Sequence, residues 1–162
     1  SIAVSLRDLG MSMAPQNAFQ TLLGLETLSL RMKKHVSNAN KIANWLEKHP
    51  KIDKVTYAGL KSSKYYNLAK SVLPKGAGAL FTISLKEGYE ACIKMINKLN
   101  LFSHVSNLGD TRSLIIHPAS TVHRQLTEQQ QINAGLAPNV IRLSIGIEDP
   151  KDLIDDLKQA LE

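Results

Sequence analysis

Cysteine is nearly missing from this chain. Cys92 stands alone among 162 residues, so no disulfide can close within it, and a reducing cytoplasm is the expected setting. Cys92 falls in an apolar helical pattern and reads as a packed thiol. Aromatic residues are scarce as well, at 5%. Binding of single strands draws on stacked rings set among basic side chains. Only Tyr65-Tyr66 beside Lys64 offers that combination, and it reads as a surface loop, so no nucleic-acid partner is expected. No hydrophobic run reaches the ~20 residues of a membrane-spanning helix, and no membrane partner is expected. The N-terminus has no basic stretch leading into an apolar one, so no secretory signal is expected either. It has no initiating Met, which suggests a piece of a longer protein. Repeats and low-complexity tracts are lacking. A Gly-x-Ser-x-Gly turn, the elbow of a hydrolase triad, does not occur. His117 and His123 lie six apart with no cysteine nearby and without the i, i+4 spacing of a helical zinc pair, so no metal is expected. The net charge of +6 is spread over scattered lysines. It favours solubility, or attraction for small anions, over a nucleic-acid footprint.

What the chain does have is a 43% hydrophobic content distributed along its length, enough for one domain with a real core. Its most informative stretch runs from Pro138 to Asp149. Ile141, Leu143, Ile145 and Ile147 alternate with Val140, Arg142, Ser144 and Gly146, the pattern of a half-buried strand. One face must lie on a core. The other carries a single guanidinium, whose fork matches a carboxylate bidentately. Two readings of Arg142 stand: it holds a substrate carboxylate, or it makes a structural ion pair on a solvated strand face.

Pro15 opens a helical pattern that steps by threes and fours through Leu25, Leu28, Met32, Val36, Ala39, Ala43 and Leu46 and is stopped by His49-Pro50. One helix over 15–48 would be ~50 Å long, so a kink near Gly24 or a reach toward something outside the chain is expected. The Arg31-Lys33-Lys34-His35 cluster reads as a solvated helix face. Strands are expected at 54–57, 80–85, 102–106 and 113–116, with Asn107-Leu108-Gly109-Asp110 as the turn between the last two. Helices are expected at 65–72 and 87–99, and after the capping-box spacing at Thr127. A last helix should start at Asp149-Pro150, an acidic N-cap with proline at the first position. Gly76-Ala77-Gly78 precedes a strand and reads as room for backbone. Residues 1–13 read as loop or extended chain. The fold class is α+β: a small, mostly antiparallel sheet with helices on one face, preceded by a long helix. Residues 1–48 form an N-terminal segment and linking helix, and residues 49–162 a small α+β domain. The polar sheet face, with Arg142 and Ser144, is left to cover something else.

Two motifs go beyond pattern: Asn107-Leu108-Gly109-Asp110 leading through Ser113-Leu114 to His117-Pro118-Ala119-Ser120-Thr121-Val122-His123, and Ile141-Arg142-Leu143-Ser144-Ile145-Gly146-Ile147-Glu148-Asp149. With Leu6-Arg7-Asp8-Leu9-Gly10 and Gly24-Leu25-Glu26-Thr27-Leu28 near the start, the chain resembles the Cys/Met-metabolism pyridoxal-phosphate enzymes over its whole length. Within that family it is most similar to the O-acetylhomoserine sulfhydrylase branch, over methionine γ-lyase and the cystathionine γ-synthases and lyases.

The resemblance implies the smaller C-terminal domain of a fold type I enzyme, with Arg142 gripping the α-carboxylate of the amino-acid substrate. It implies a contact from the turn at Asn107, where many relatives have Ser. Pyridoxal 5'-phosphate would be held by a large domain outside this chain, since no lysine here follows the family's Ser-x-Thr. No catalytic or cofactor-binding residue is therefore expected in this chain, and the chain alone should be inactive. The expected partners are O-acetylhomoserine, the protein's own large domain and further copies in a homotetramer. A rival expectation is a non-catalytic scaffold or interaction module.

Overall fold

The computed structural model describes residues 2–10 and 12–162. By its internal contacts the chain divides into two compact units, Ser1–Met32 and Lys33–Glu162.

The first unit is helical. Helix α1 spans Ile2–Leu9, where loop or extended chain was expected; Ser1 and Met11 of that stretch lie outside the described residues. Helix α2, Pro15–Glu26, begins at its proline with no side-chain cap from Ala14. The single long helix expected over 15–48 is instead two, because the chain breaks at Thr27 before α3, Leu28–Leu46. The break lies three residues past the expected kink at Gly24. The Arg31 guanidinium donates to the Gly24 carbonyl at 2.5 Å and to the Thr27 hydroxyl at 3.3 Å, so a side chain serves the carbonyl the turn leaves open. No described residue from 2 to 32 is buried. The apolar stripe expected to run from Leu25 to Leu46 is covered only at Ala39, Ala43 and Leu46, in the second unit.

The second unit holds a five-stranded sheet in the order β1-β2-β5-β4-β3. Its strands are β1 (Ile52–Thr56), β2 (Leu80–Leu85), β3 (Ser103–His104), β4 (Leu114–Ile116) and β5 (Val140–Ser144). Pairing is antiparallel except between β3 and β4, which run parallel. The sheet is thus mixed, and Asn107 to Asp110 belong to a crossing loop and not a hairpin turn. One face of the sheet packs Phe81, Ile83, Leu85, Ile115, Ile141, Leu143 and Ile145 against α3, α5 (Gly88–Lys98) and α7 (Pro150–Leu161). Cys92 of α5 is sealed in this core, and burial pushes its thiol up to about 12. Two sequence signals acted as expected. The Asp149 carboxylate caps α7 by accepting from the Lys151 N–H at 2.7 Å. Thr127 forms a full capping box at the start of α6, Glu128–Asn133. The short α4, Tyr66–Val72, precedes Gly76, whose φ of +122° lets the backbone pass against Val36.

Candidate functional site

Arg142 is the third residue of β5, the central strand. Thr82 of β2 lies directly across from it on one side and Ile116 of β4 on the other. Directly opposed residues of antiparallel strands point to the same face, as do residues two apart along one strand. Arg142 therefore rises from a collar of Thr82, Ile116, Val140 and Ser144. Three of these are buried and Thr82 is half-buried. Arg142 as a residue is half-buried. The ion pairs among the described residues are Arg7–Asp8 and Arg112–Asp110. Arg142 has no acidic partner and no hydrogen bond among the described residues.

The rest of the polar face is less open than expected. Ser144 is buried, and its hydroxyl accepts from the Gly109 N–H at 3.3 Å. That bond ties the Asn107–Asp110 loop to the end of β5, on the face that carries Arg142. Asn107 is exposed and makes no hydrogen bond with Arg142. Its own N–H donates to the Val105 carbonyl at 3.1 Å, and its Oδ1 accepts from the Leu108 N–H at 2.8 Å. Its Nδ2 amide is the donor left over. Beyond it, the Asp110 carboxylate accepts from the Arg112 N–H at 3.0 Å. That bond, helped by the Arg112 charge, holds Asp110 below the usual carboxylate range.

The strand end is fixed by bonds that sequence reading did not anticipate. The Glu148 carboxylate accepts from the Ser113 N–H at 2.6 Å and from its hydroxyl at 2.9 Å, while the Gly146 N–H donates to the same hydroxyl at 2.9 Å. Asn38 donates to the carbonyls of Gly146 and Glu148, at 3.1 and 2.8 Å. His35 Nδ1 donates to the Ile145 carbonyl at 2.6 Å. His35 was expected on a solvated basic face; it is buried, because it continues the apolar stripe of α3 inward with Asn38, Ala39 and Ile42. A side chain at Gly146 would strike the Thr111 carbonyl, the Glu148 carboxylate and, at 2.6 Å, the Arg112 carbonyl carbon.

His117 is likewise engaged on both ring nitrogens. Nε2 donates to the Pro138 carbonyl at 2.7 Å, Nδ1 accepts from the Ser120 hydroxyl at 2.9 Å, and the ring meets Tyr89 edge-on at 4.9 Å. The His-Pro-Ala-Ser-Thr motif thus braces the connection into β5. His123 contributes its carbonyl to Gln131 at 3.0 Å.

Comparison with known proteins identifies the family. The family model for Cys/Met metabolism PLP-dependent enzymes matches residues 1–162. The chain belongs to that family. It is 49% identical over 158 residues to the O-acetyl-L-homoserine sulfhydrylase of Leptospira meyeri, covering 97% of this chain and 36% of that protein. It is 42% identical over 160 residues to an L-methionine gamma-lyase of Fusobacterium nucleatum, covering 98% and 40%. A solved structure of a putative O-acetylhomoserine (thiol)-lyase from Campylobacter jejuni, containing N'-pyridoxyl-lysine-5'-monophosphate, superposes with a TM-score of 0.89 at 50% identity. That match covers 99% of this chain and 38% of the other. The chain thus spans a little over a third of the length of the relatives it matches.

The Cys/Met enzymes depend on pyridoxal phosphate. Every lysine of this chain is exposed or half-buried.

Proposed function

We propose that this chain is the substrate-carboxylate-binding portion of a PLP-dependent O-acetylhomoserine sulfhydrylase, which converts O-acetylhomoserine and sulfide to homocysteine and acetate. The observation that carries the proposal is Arg142, half-buried on the central strand and without an acidic partner among the described residues. Its fork takes the α-carboxylate, and the free amide of Asn107, on the loop tied to Ser144, adds a donor beside it. Fixing the carboxylate fixes the amino group and side chain relative to whatever reacts with them, which is a proximity effect. The cofactor belongs to the protein's own large domain, and the whole enzyme is a cytoplasmic homotetramer.

In the full-length enzyme Arg142→Ala should raise KM for O-acetylhomoserine by the equivalent of about 2–4 kcal/mol, the cost of losing a charged bidentate contact. An unchanged KM removes Arg142 from the site. A second reading, a γ-lyase, draws on the 42% identity to the Fusobacterium enzyme. Product analysis separates the two: homocysteine from O-acetylhomoserine and sulfide supports replacement, and cleavage of methionine supports elimination. The 162-residue chain alone should be colourless and inert; a yellow preparation with turnover contradicts the assignment of cofactor and chemistry to another domain.

A further inference from the structure

Resting on Arg142 as a carboxylate anchor, we propose that Glu148 is a positioning residue for the same site: its side chain clamps the base of the loop 107–112, and through that clamp fixes where Asn107 stands for the substrate carboxylate. The loop meets the Arg142 face near its tip, where the Gly109 N–H donates to the Ser144 hydroxyl. Ser144 and Arg142 are two apart on β5 and point to one face. That tip bond is a neutral one at 3.3 Å, at the long end of the useful range.

The base of the loop is held harder. The Ser113 N–H and hydroxyl donate to the two Glu148 oxygens at 2.6 and 2.9 Å, and the Gly146 N–H donates to the Ser113 hydroxyl at 2.9 Å. Bonds to an ionised carboxylate are shorter than neutral ones and about twice as strong. Glu148 makes no ion pair among the described residues, and both of its side-chain hydrogen bonds there come from Ser113. Ser113 has no exposed surface, and its carbonyl accepts from the Ser103 N–H at 3.0 Å. The loop therefore enters the sheet through a residue whose polar groups are all bound. Glu148 is itself fixed from behind, because Asn38 of α3 donates to its carbonyl at 2.8 Å. Between base and tip, the Ile147 N–H donates to the Thr111 carbonyl at 2.9 Å. Without the clamp, that bond and the long one at Gly109 are what hold the loop to β5. A donor that is not held in place must be ordered when substrate arrives, and affinity falls by that cost. Glu148 touches neither the substrate nor the reacting atoms, so its loss should be felt in carboxylate recognition alone.

The test uses the full-length, cofactor-loaded enzyme and two ligands without a leaving group: L-norleucine, and n-pentylamine, which is norleucine without its carboxylate. Glu148→Ala should weaken norleucine and raise KM for O-acetylhomoserine about tenfold, the weight of one hydrogen bond to a charged group. It should leave pentylamine binding and kcat unmoved. Glu148→Gln, whose amide oxygen can still accept from the Ser113 N–H, should restore most of the loss. Ser113→Ala removes the hydroxyl bonds and keeps the N–H bond; it should give a smaller loss of the same kind, and it carries the test if Glu148→Ala does not fold. In an Asn107→Ala background, neither variant should weaken norleucine further. If the variants lower the unfolding midpoint but keep the native preference for norleucine over pentylamine, Glu148 only supports the fold. The positioning role is then overturned, while a loss of that preference in Arg142→Ala keeps the anchor. If they weaken norleucine equally with and without Asn107, Glu148 does not act through that residue and the proposal fails. If Arg142→Ala keeps the native preference, the anchor itself is wrong and the proposal falls with it.

Discussion

The two faces of the sheet are made from alternating residues of the same strands, yet they are finished in opposite ways. On one face Ile141, Leu143 and Ile145 have no exposed surface and are covered by three helices. On the other, Arg142 sits between them in sequence, across from Thr82, with no ion pair among the described residues. The first face holds the fold, and the second carries the residue on which the proposed function rests. Removing a side chain from either should damage a different property, and the sharpness of that division can be measured.

The largest expected effect on stability is at Leu143. Leu143→Ala leaves a cavity in a closed core and should cost about 2–5 kcal/mol, read as a fall in the unfolding midpoint of the protein. Arg142→Ala, one residue away, should move that midpoint by under about 1 kcal/mol, since it breaks no hydrogen bond or ion pair among the described residues. Equal losses at the two positions would erase the distinction between the faces. Gly146→Ala comes next, at about 1–3 kcal/mol. The added carbon meets the Thr111 and Arg112 backbone and the Glu148 carboxylate, and backbone cannot move aside cheaply. Here both properties should suffer, because the same backbone carries the loop tied to Ser144.

Smaller effects sharpen the contrast. With its thiol pushed up to about 12, Cys92 should be roughly one part in ten thousand thiolate at pH 8. Alkylation should therefore proceed only as fast as the core opens. Rapid modification under native conditions would mean that the covered face is not closed. The least effect is at Asp110, whose folded pKa lies below the ordinary 3.8. A carboxylate lowered in the folded state contributes stability above the unfolded value and loses it as pH falls through the lowered one. The Arg112 amide resonance should shift in that acid range, and no shift would break the Asp110–Arg112 turn.

The covered face was the more legible in sequence. Period-two alternation exposed β2 and β5, and the Asp149-Pro150 and Thr127 signals placed the starts of α7 and α6, because these depend on a few adjacent residues. Arg142 was legible as the odd residue on an apolar strand. The parallel pairing of β3 with β4 was not, since strand direction is set by the distant partner. The Glu148–Ser113 and Asn38–Gly146 bonds join residues 35 and 108 positions apart, and no local pattern reports them. His35 could have been found: it falls in step with Ala39 and Ile42, but its basic neighbours drew it to the wrong face. The first unit failed differently. Its helices carry Leu22, Leu25 and Leu28 in helical spacing, yet none is buried. Periodicity states which residues seek cover, not whether the chain supplies it.

The most direct measurement compares O-acetyl-L-homoserine with its carboxamide, which keeps the shape and loses the charge, for binding to the full-length enzyme and to its Arg142→Ala form. If Arg142 holds the carboxylate, the native enzyme should prefer the acid by a factor of about thirty or more, and the variant should bind the two alike. A variant that still prefers the acid by the native factor would show that the carboxylate is held elsewhere.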